Sequence, residues 1–283
     1  MDPAESRDIW HLLETVHAVT YFAPGCRDAH TALGFKGFWM GYFGTRGAPL
    51  GPVGPGVVTA SFAGFEPGMV QRALPDAWQC CLPEAAVDGR TAAAATALRR
   101  ALPEVEGLAL DLLGILDRAV ESADPTGRTL FAANTDVIPF EDPVADLWQM
   151  CTALREHRGD GHVAVLVSEG LGGCEPHVLA AAGGGIDPER LRESRGWSEI
   201  DWKEAATTLS AAGLIDDGHL TERGRVFHGH VEARTDELAA PPYAAIGEEG
   251  RNRLRDGLIP LAAAVIEADW IPFPNPIGLP RVV

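Results

Sequence analysis

From Asp8 onward, apolar residues fall at Ile9, Leu12, Leu13 and Val16, and Val19 extends the stripe. Spacings of three and four place them on one face of an amphipathic helix. Pro24-Gly25 ends that run, and residues 27–33 read as a second helix stopped by Gly34. The stretch 35–52 is aromatic-rich in its first half and interrupted by glycine and proline in its second. Small residues there would let backbone approach backbone, or a ligand, closely. Further helices are expected at residues 67–74, 75–79, 84–101 and 107–122, with a turn at 123–127 and an irregular connection at 134–143. Residues 144–157 form a helical pattern with Leu147, Trp148, Cys151 and Leu154 on one side. The run Arg158-Gly159-Asp160-Gly161 is expected to stop this helix, and residues 162–168 to begin another.

The last third carries sharper punctuation. Asp187-Pro188 suggests a short helix, and Ser198-Glu199-Ile200-Asp201 resembles a capping box with aspartate in the place of Glu or Gln. The helix that follows holds Trp202, Ala205, Ala206, Leu209 and Ala212 and ends at Gly213. Leu214-Ile215 and His219-Leu220, joined through Asp216-Asp217-Gly218, predict a small hairpin with an Asp-Gly turn. Thr221 can cap a long helix over 222–238. Three helices, a hairpin and a helix are the order of a winged helix-turn-helix, and the run from Gly213 to Arg225 resembles the wing and exit helix of the MarR-like version.

Four stretches together resemble an actinobacterial SalK-like family with a MarR-like helix-turn-helix: His17-Ala18-Val19-Thr20-Tyr21-Phe22-Ala23-Pro24, residues 42–51, residues 154–162, and Thr235-Asp236-Glu237-Leu238. Where that family typically has Ala-Gly-Arg-Ala-Ala-Pro, this chain has Gly44-Thr45-Arg46-Gly47-Ala48-Pro49. The resemblance implies architecture more than activity. The expected fold is therefore mainly α: a helical N-terminal domain at 1–143, a winged-helix domain with a small β-hairpin at 144–247, and a C-terminal helix with a proline-rich tail at 248–283.

Composition narrows the class. Of 283 residues, 46% are hydrophobic and 22% charged, which suits a globular chain and excludes disordered or collagen-like classes. The longest apolar run, 258–266, is about half of what a membrane span needs, and the acidic N-terminus does not resemble a secretory signal. Five unevenly spaced cysteines fit free thiols better than a disulfide framework or a zinc site. A cytoplasmic protein without membrane contact is expected, with a homodimer as a further expectation.

Charge bears on the partner. Forty acidic against 23 basic side chains give −17, and Lys36 and Lys203 are the only lysines. The helix before the hairpin has Lys203 as its one base beside Asp201 and Glu204, and the wing presents Asp216 and Asp217. DNA affinity depends on cations displacing condensed counterions, so this pattern argues against DNA as the partner. Arg190, Arg192, Arg195, Arg223 and Arg225 still leave room for phosphate contact.

Chemistry is sought in two places. At the corner expected around residues 158–161, His162 is a candidate acid/base group oriented by Asp160, with Arg158 and His157 holding an anionic substrate. A capped turn with Asp160 as N-cap accounts for the same residues. In the N-terminal half, His17 and Tyr21 share a helix face as further catalytic candidates. With Trp39, Tyr42 and Arg46 they could wall a pocket for an apolar ligand with a polar handle, although a core helix with a satisfied histidine explains them too.

His228, Glu232 and Asp236 share one face, but a solvated exit helix explains them more simply than a metal. Cys174 and His177 lack a third orienting group, and no dinucleotide, P-loop or zinc-protease motif occurs, so no cofactor is expected. These readings predict a small-molecule-binding protein with cofactor-independent acid/base chemistry, of isomerase, cyclase or lyase type, in specialised metabolism. The alternative is a ligand-responsive MarR-like transcriptional regulator.

Overall fold

The structure, a computed structural model, describes residues 1–184 and 186–282 and is mainly helical. The N-terminal part comprises α1 (Pro3–His17), α2 (Val19–Phe22), α3 (Pro24–Ala32), α4 (Gly37–Gly47), α5 (Pro55–Phe62), α6 (Pro67–Gln71), α7 (Ala77–Cys80), α8 (Pro83–Ala101), α9 (Val105–Glu121) and α10 (Thr129–Thr135). A long α11 (Pro143–Ser168) leads to α12 (Glu175–Ala182), α13 (Pro188–Ser194) and α14 (Glu199–Ala211). The hairpin β1 (Ile215–Asp216) and β2 (His219–Leu220) precedes α15 (Glu222–Ala239), α16 (Pro241–Ala245) and α17 (Gly247–Glu267).

The apolar stripe on α1 does what its spacing predicts. Ile9, Leu12, Leu13, Val16 and Val19 are all buried, in a core shared with α8, α9, α11 and α17. A second, aromatic cluster gathers Phe35, Phe43, Phe62 and Phe65 around α4 to α6. A third runs from the end of α11 through α14 to α15, around Leu166, Leu179, Leu209 and Val231.

Two stretches take a form that their glycines do not signal. The glycine-rich segment after Phe35 continues as helix α4 to Gly47, followed by a 3-10 turn at Ala48–Leu50. Its small residues serve close packing: Phe35 and His30 occupy the space where side chains at 44 and 41 would stand.

The larger correction concerns residues 158–161, which are the interior of α11 and not a corner. Two glycines cost a helix only about 2 kcal/mol together. Here α11 is packed by α1, α8, α9, α10 and α15, and both its apolar and its polar positions are buried. That packing outweighs the local propensity. Asp160 is therefore no N-cap, and no helix start offers an anion site at this point.

The C-terminal signals act as expected locally. The Ser198 hydroxyl accepts from the Asp201 N–H and the Asp201 carboxylate accepts from the Ser198 N–H, at 3.1 and 3.0 Å. In the hairpin Ile215 pairs with Leu220 and Asp216 with His219. Its turn residues Asp217 and Gly218 have φ of 44° and 76°, a left-handed pair that Asp-Gly tolerates. Thr221 caps α15 through the Gly224 N–H at 3.0 Å.

The start of α15 lies directly against the strand entry. A methyl group at position 224 would stand 1.9 Å from the Leu214 carbonyl oxygen, so only glycine fits. Gly229, five residues on, has open space around it. Gly224→Ala is expected to destabilise the chain by about 2–3 kcal/mol. Gly229→Ala should be neutral or stabilise it by up to about 1 kcal/mol in the same urea titration. Equal effects would contradict this packing.

Candidate functional site

Because α11 is uninterrupted, Arg155, Arg158, Gly159 and His162 follow spacings of three and four and share one face. That face lines a cavity of about 810 Å³ between the helical body and the segment α12–α15. On α1, Arg7, Trp10 and His11 join it at the same spacing. The opposite walls are Ala180, Gly183 and Ile186 around the end of α12, and the tail residues Phe273, Ile277, Leu279 and Arg281. His228, Glu232 and Thr235 of α15 close the remaining side. The volume lies in the range of small-molecule sites.

Carboxylates hold the arginines in place. Asp236, almost fully buried, accepts from Arg7 Nε and Nη2 at 3.2 and 2.6 Å and from Arg158 Nη1 at 2.8 Å. The Arg158 guanidinium also stacks 4.7 Å over the Trp10 ring. Thr235 Oγ1 donates to the Val231 carbonyl at 2.8 Å, so it accepts from His162 Nδ1–H at 3.0 Å. This fixes the tautomer and leaves His162 Nε2 as a bare base, without a partner among the described residues. Burial lowers the His162 pKa, so the ring stays neutral near pH 7.

Behind the cavity lies a polar cluster in the core. Arg155 donates to Glu14 through Nε at 2.9 Å and to Glu156 through Nη1 at 2.8 Å. Glu156 in turn holds Arg46 bidentately at 2.8 and 2.9 Å, and Arg46 Nη1 donates to Tyr42 OH at 2.9 Å. Burial alone would raise the Glu156 pKa, but Arg155 and Arg46 outweigh it and hold the carboxylate ionised.

His17 is ordered by the same logic as His162. Thr152 Oγ1 donates to the Trp148 carbonyl, so His17 Nδ1–H donates to Thr152 and His17 Nε2 accepts from Tyr21 OH, both at 2.9 Å. Burial, with Arg155 nearby, keeps His17 neutral.

The sequence-predicted residues thus fall into separate places. Arg158 and His162 line the cavity. His17, Tyr21, Tyr42 and Arg46 do come together, with Trp39 edge-on to Tyr42 at 5.7 Å, but within the packed interior. His157 points elsewhere, edge-on to Phe131 at 5.0 Å, and burial lowers its pKa to about 3.

The pairing of Asp160 with His162 is not found. Asp160 accepts from the Phe131 N–H at 2.9 Å, and His162 turns to Thr235. Residues four apart would have met, but residues two apart on a continuous helix face different ways.

Sequence reasoning missed Arg7, Trp10 and His11, although a polar stripe at helical spacing beside the apolar one marks them. Arg155 lies within the polar run 154–162, where nothing in its sequence position marks its part in the cavity. Glu232 reads in the sequence as part of a solvated exit helix in preference to a metal ligand, whereas it lines the cavity; among the described residues no three His, Cys, Asp or Glu side chains converge as a metal would need. Another cavity, of about 690 Å³ between α9, α10 and α11, contains none of the predicted residues.

Two outcomes follow for stability. Glu156→Gln leaves two buried guanidiniums without their shared anion and should cost about 3–5 kcal/mol in urea unfolding. Burial raises the Asp160 pKa from 3.8 to about 6, against the Phe131 hydrogen bond. A carboxyl that binds its proton more tightly when folded contributes less stability as pH rises through that window. The wild type should therefore lose stability relative to Asp160→Asn between about pH 4 and pH 7. A pH-independent difference would contradict the burial.

A search of curated proteins found no match, and a search of solved structures found none either. Among the described residues no helix is long and apolar enough to cross a membrane. A model of a helix-turn-helix family does match, over residues 6–272, which is nearly the whole chain and includes the α1, α11, α12 and α15 walls of the cavity but not its tail wall at 273–281. The chain belongs to this helix-turn-helix family.

Proposed function

We propose that the protein is a ligand-responsive, DNA-binding regulator in which α12–α15 act as a winged helix-turn-helix and the cavity beside α11 is the effector site. Family membership supports the DNA-binding half of this reading. The observation that carries the ligand half is the ownership of the cavity walls. Arg7, Trp10 and Arg158 belong to the helical body, and Ala180, Ile186, Glu232 and Thr235 to the proposed reading unit. A ligand touching both can favour one arrangement of the two over another, which is the condition for coupling.

In this reading α14 enters the major groove and the hairpin lies along the phosphates. Ile200, 68% exposed near the start of α14, suits a thymine methyl. Lys203 and Arg223 are the exposed cations nearest the groove. Arg225 is engaged by Glu222 and Arg192 by the Trp197 carbonyl. So few phosphate contacts predict weak non-specific affinity and a shallow salt slope.

The acids Asp201, Glu204, Asp216 and Asp217 around this face favour a second reading. There the unit no longer reads DNA, and the cavity serves acid/base chemistry with His162 Nε2 as the base.

A gel shift with the protein's own promoter fragment separates the two. The regulator reading expects a shifted band whose log affinity falls with log salt at a slope of about −2 to −4, set by two cations per unit in one or two units. Arg223→Ala should weaken binding about equally across sequences. No shift at low salt, together with turnover of a small molecule that His162→Ala abolishes, would establish the second reading instead.

A further inference from the structure

We infer that the cavity beside α11 takes an organic monocarboxylate with an apolar body, and that Glu232 is a built-in anion which this ligand displaces. The inference rests on the effector-site reading above and adds the ligand class and the element that responds to it.

The two acids of α15 that face Arg7 and Arg158 are held very differently. Asp236 fills the inner position with hydrogen bonds of 2.6, 2.8 and 3.2 Å. Glu232, one turn earlier, stands 3.5 Å from Arg7 Nη2 and 3.7 Å from Arg158 Nη2, and its side chain is 30% exposed. Those separations give attraction without a hydrogen bond.

Arg158 Nη2 and Arg155 Nη2 have no hydrogen-bond acceptor among the described residues, although the Arg158 side chain is only 6% exposed. Guanidinium edges with unused N–H groups on a cavity wall favour an oxyanion that can accept two bonds side by side. The loose Glu232 carboxylate occupies this field without satisfying it.

The rest of the lining sets the remainder of the ligand. Phe273, Ile277, Leu279 and Ile186 offer apolar surface opposite the arginines. Burial, with Arg158 nearby, keeps His11 neutral, and burial does the same for His162, so the histidines add no positive charge. Asp236, Glu14 and Glu156 offset three of the four positive charges on Arg7, Arg46, Arg155 and Arg158, so one is left for Glu232 or a ligand to match. One added negative charge can replace Glu232, whereas a dianion would leave the site over-compensated. Since Glu232 lies on α15, its displacement frees a contact between that helix and α1 and α11.

Calorimetry on the full chain with 2-naphthoate, its neutral amide and 1-naphthyl phosphate tests this. The expected order is naphthoate tighter than amide by at least about tenfold, the size of one charge-assisted hydrogen bond. Naphthyl phosphate should bind more weakly than naphthoate. Glu232→Gln, which removes no hydrogen bond, should tighten naphthoate several-fold and leave the amide within about twofold.

Equal binding of amide and carboxylate, tighter phosphate, or a Glu232→Gln variant that binds naphthoate no better would each overturn the inference. None of these measurements involves DNA. Carboxylate preference without any promoter shift would remove the regulator reading and keep this one. An amide that binds equally well and releases the promoter would do the reverse.

Discussion

The Glu156 carboxylate, buried between Arg46 and Arg155, is the interaction on which the arrangement depends. Through it α11 is joined to α4, and through the Arg155–Glu14 pair to α1. A buried charge is tolerated only when matched and hydrogen-bonded, so these three helices must meet in one register. That register holds α11 straight through Gly159 and Gly161 and turns Arg155, Arg158 and His162 outward onto one face. The inner face of the same helix, with Gln149, Thr152 and Glu156, serves the core.

The polar groups also order one another. In both histidine sites a helical threonine gives its proton to a carbonyl one turn back, and so accepts from the imidazole Nδ1–H. At His17 the other nitrogen is used by Tyr21, which makes that site a closed structural relay in the packed core. At His162 it is left open beside a cavity. The same local chemistry therefore yields a core element in one place and a candidate working group in the other. The difference is what packs against it.

Much of the fold was legible because its signals are local. The α1 stripe, the Ser198–Asp201 capping box, the Asp-Gly turn and the Thr221 cap are each set by a few neighbouring residues. The continuity of α11 was not legible, since two glycines signal a break and only tertiary packing overrides them. The candidate site followed suit. Arg158 and His162 were recognisable as polar residues in an unusual run, but their partners Asp236 and Thr235 lie more than 70 positions away. The tail wall around Phe273 and Leu279 carries no signature in sequence beyond its prolines.

The most direct check on the account is a crystal structure of the protein with 2-naphthoate bound. The carboxylate is expected within hydrogen-bond reach of Arg158, the ring against Phe273, and the Glu232 side chain withdrawn from both arginines. Density for the ligand in the cavity between α9 and α10, with Glu232 unmoved, would contradict it.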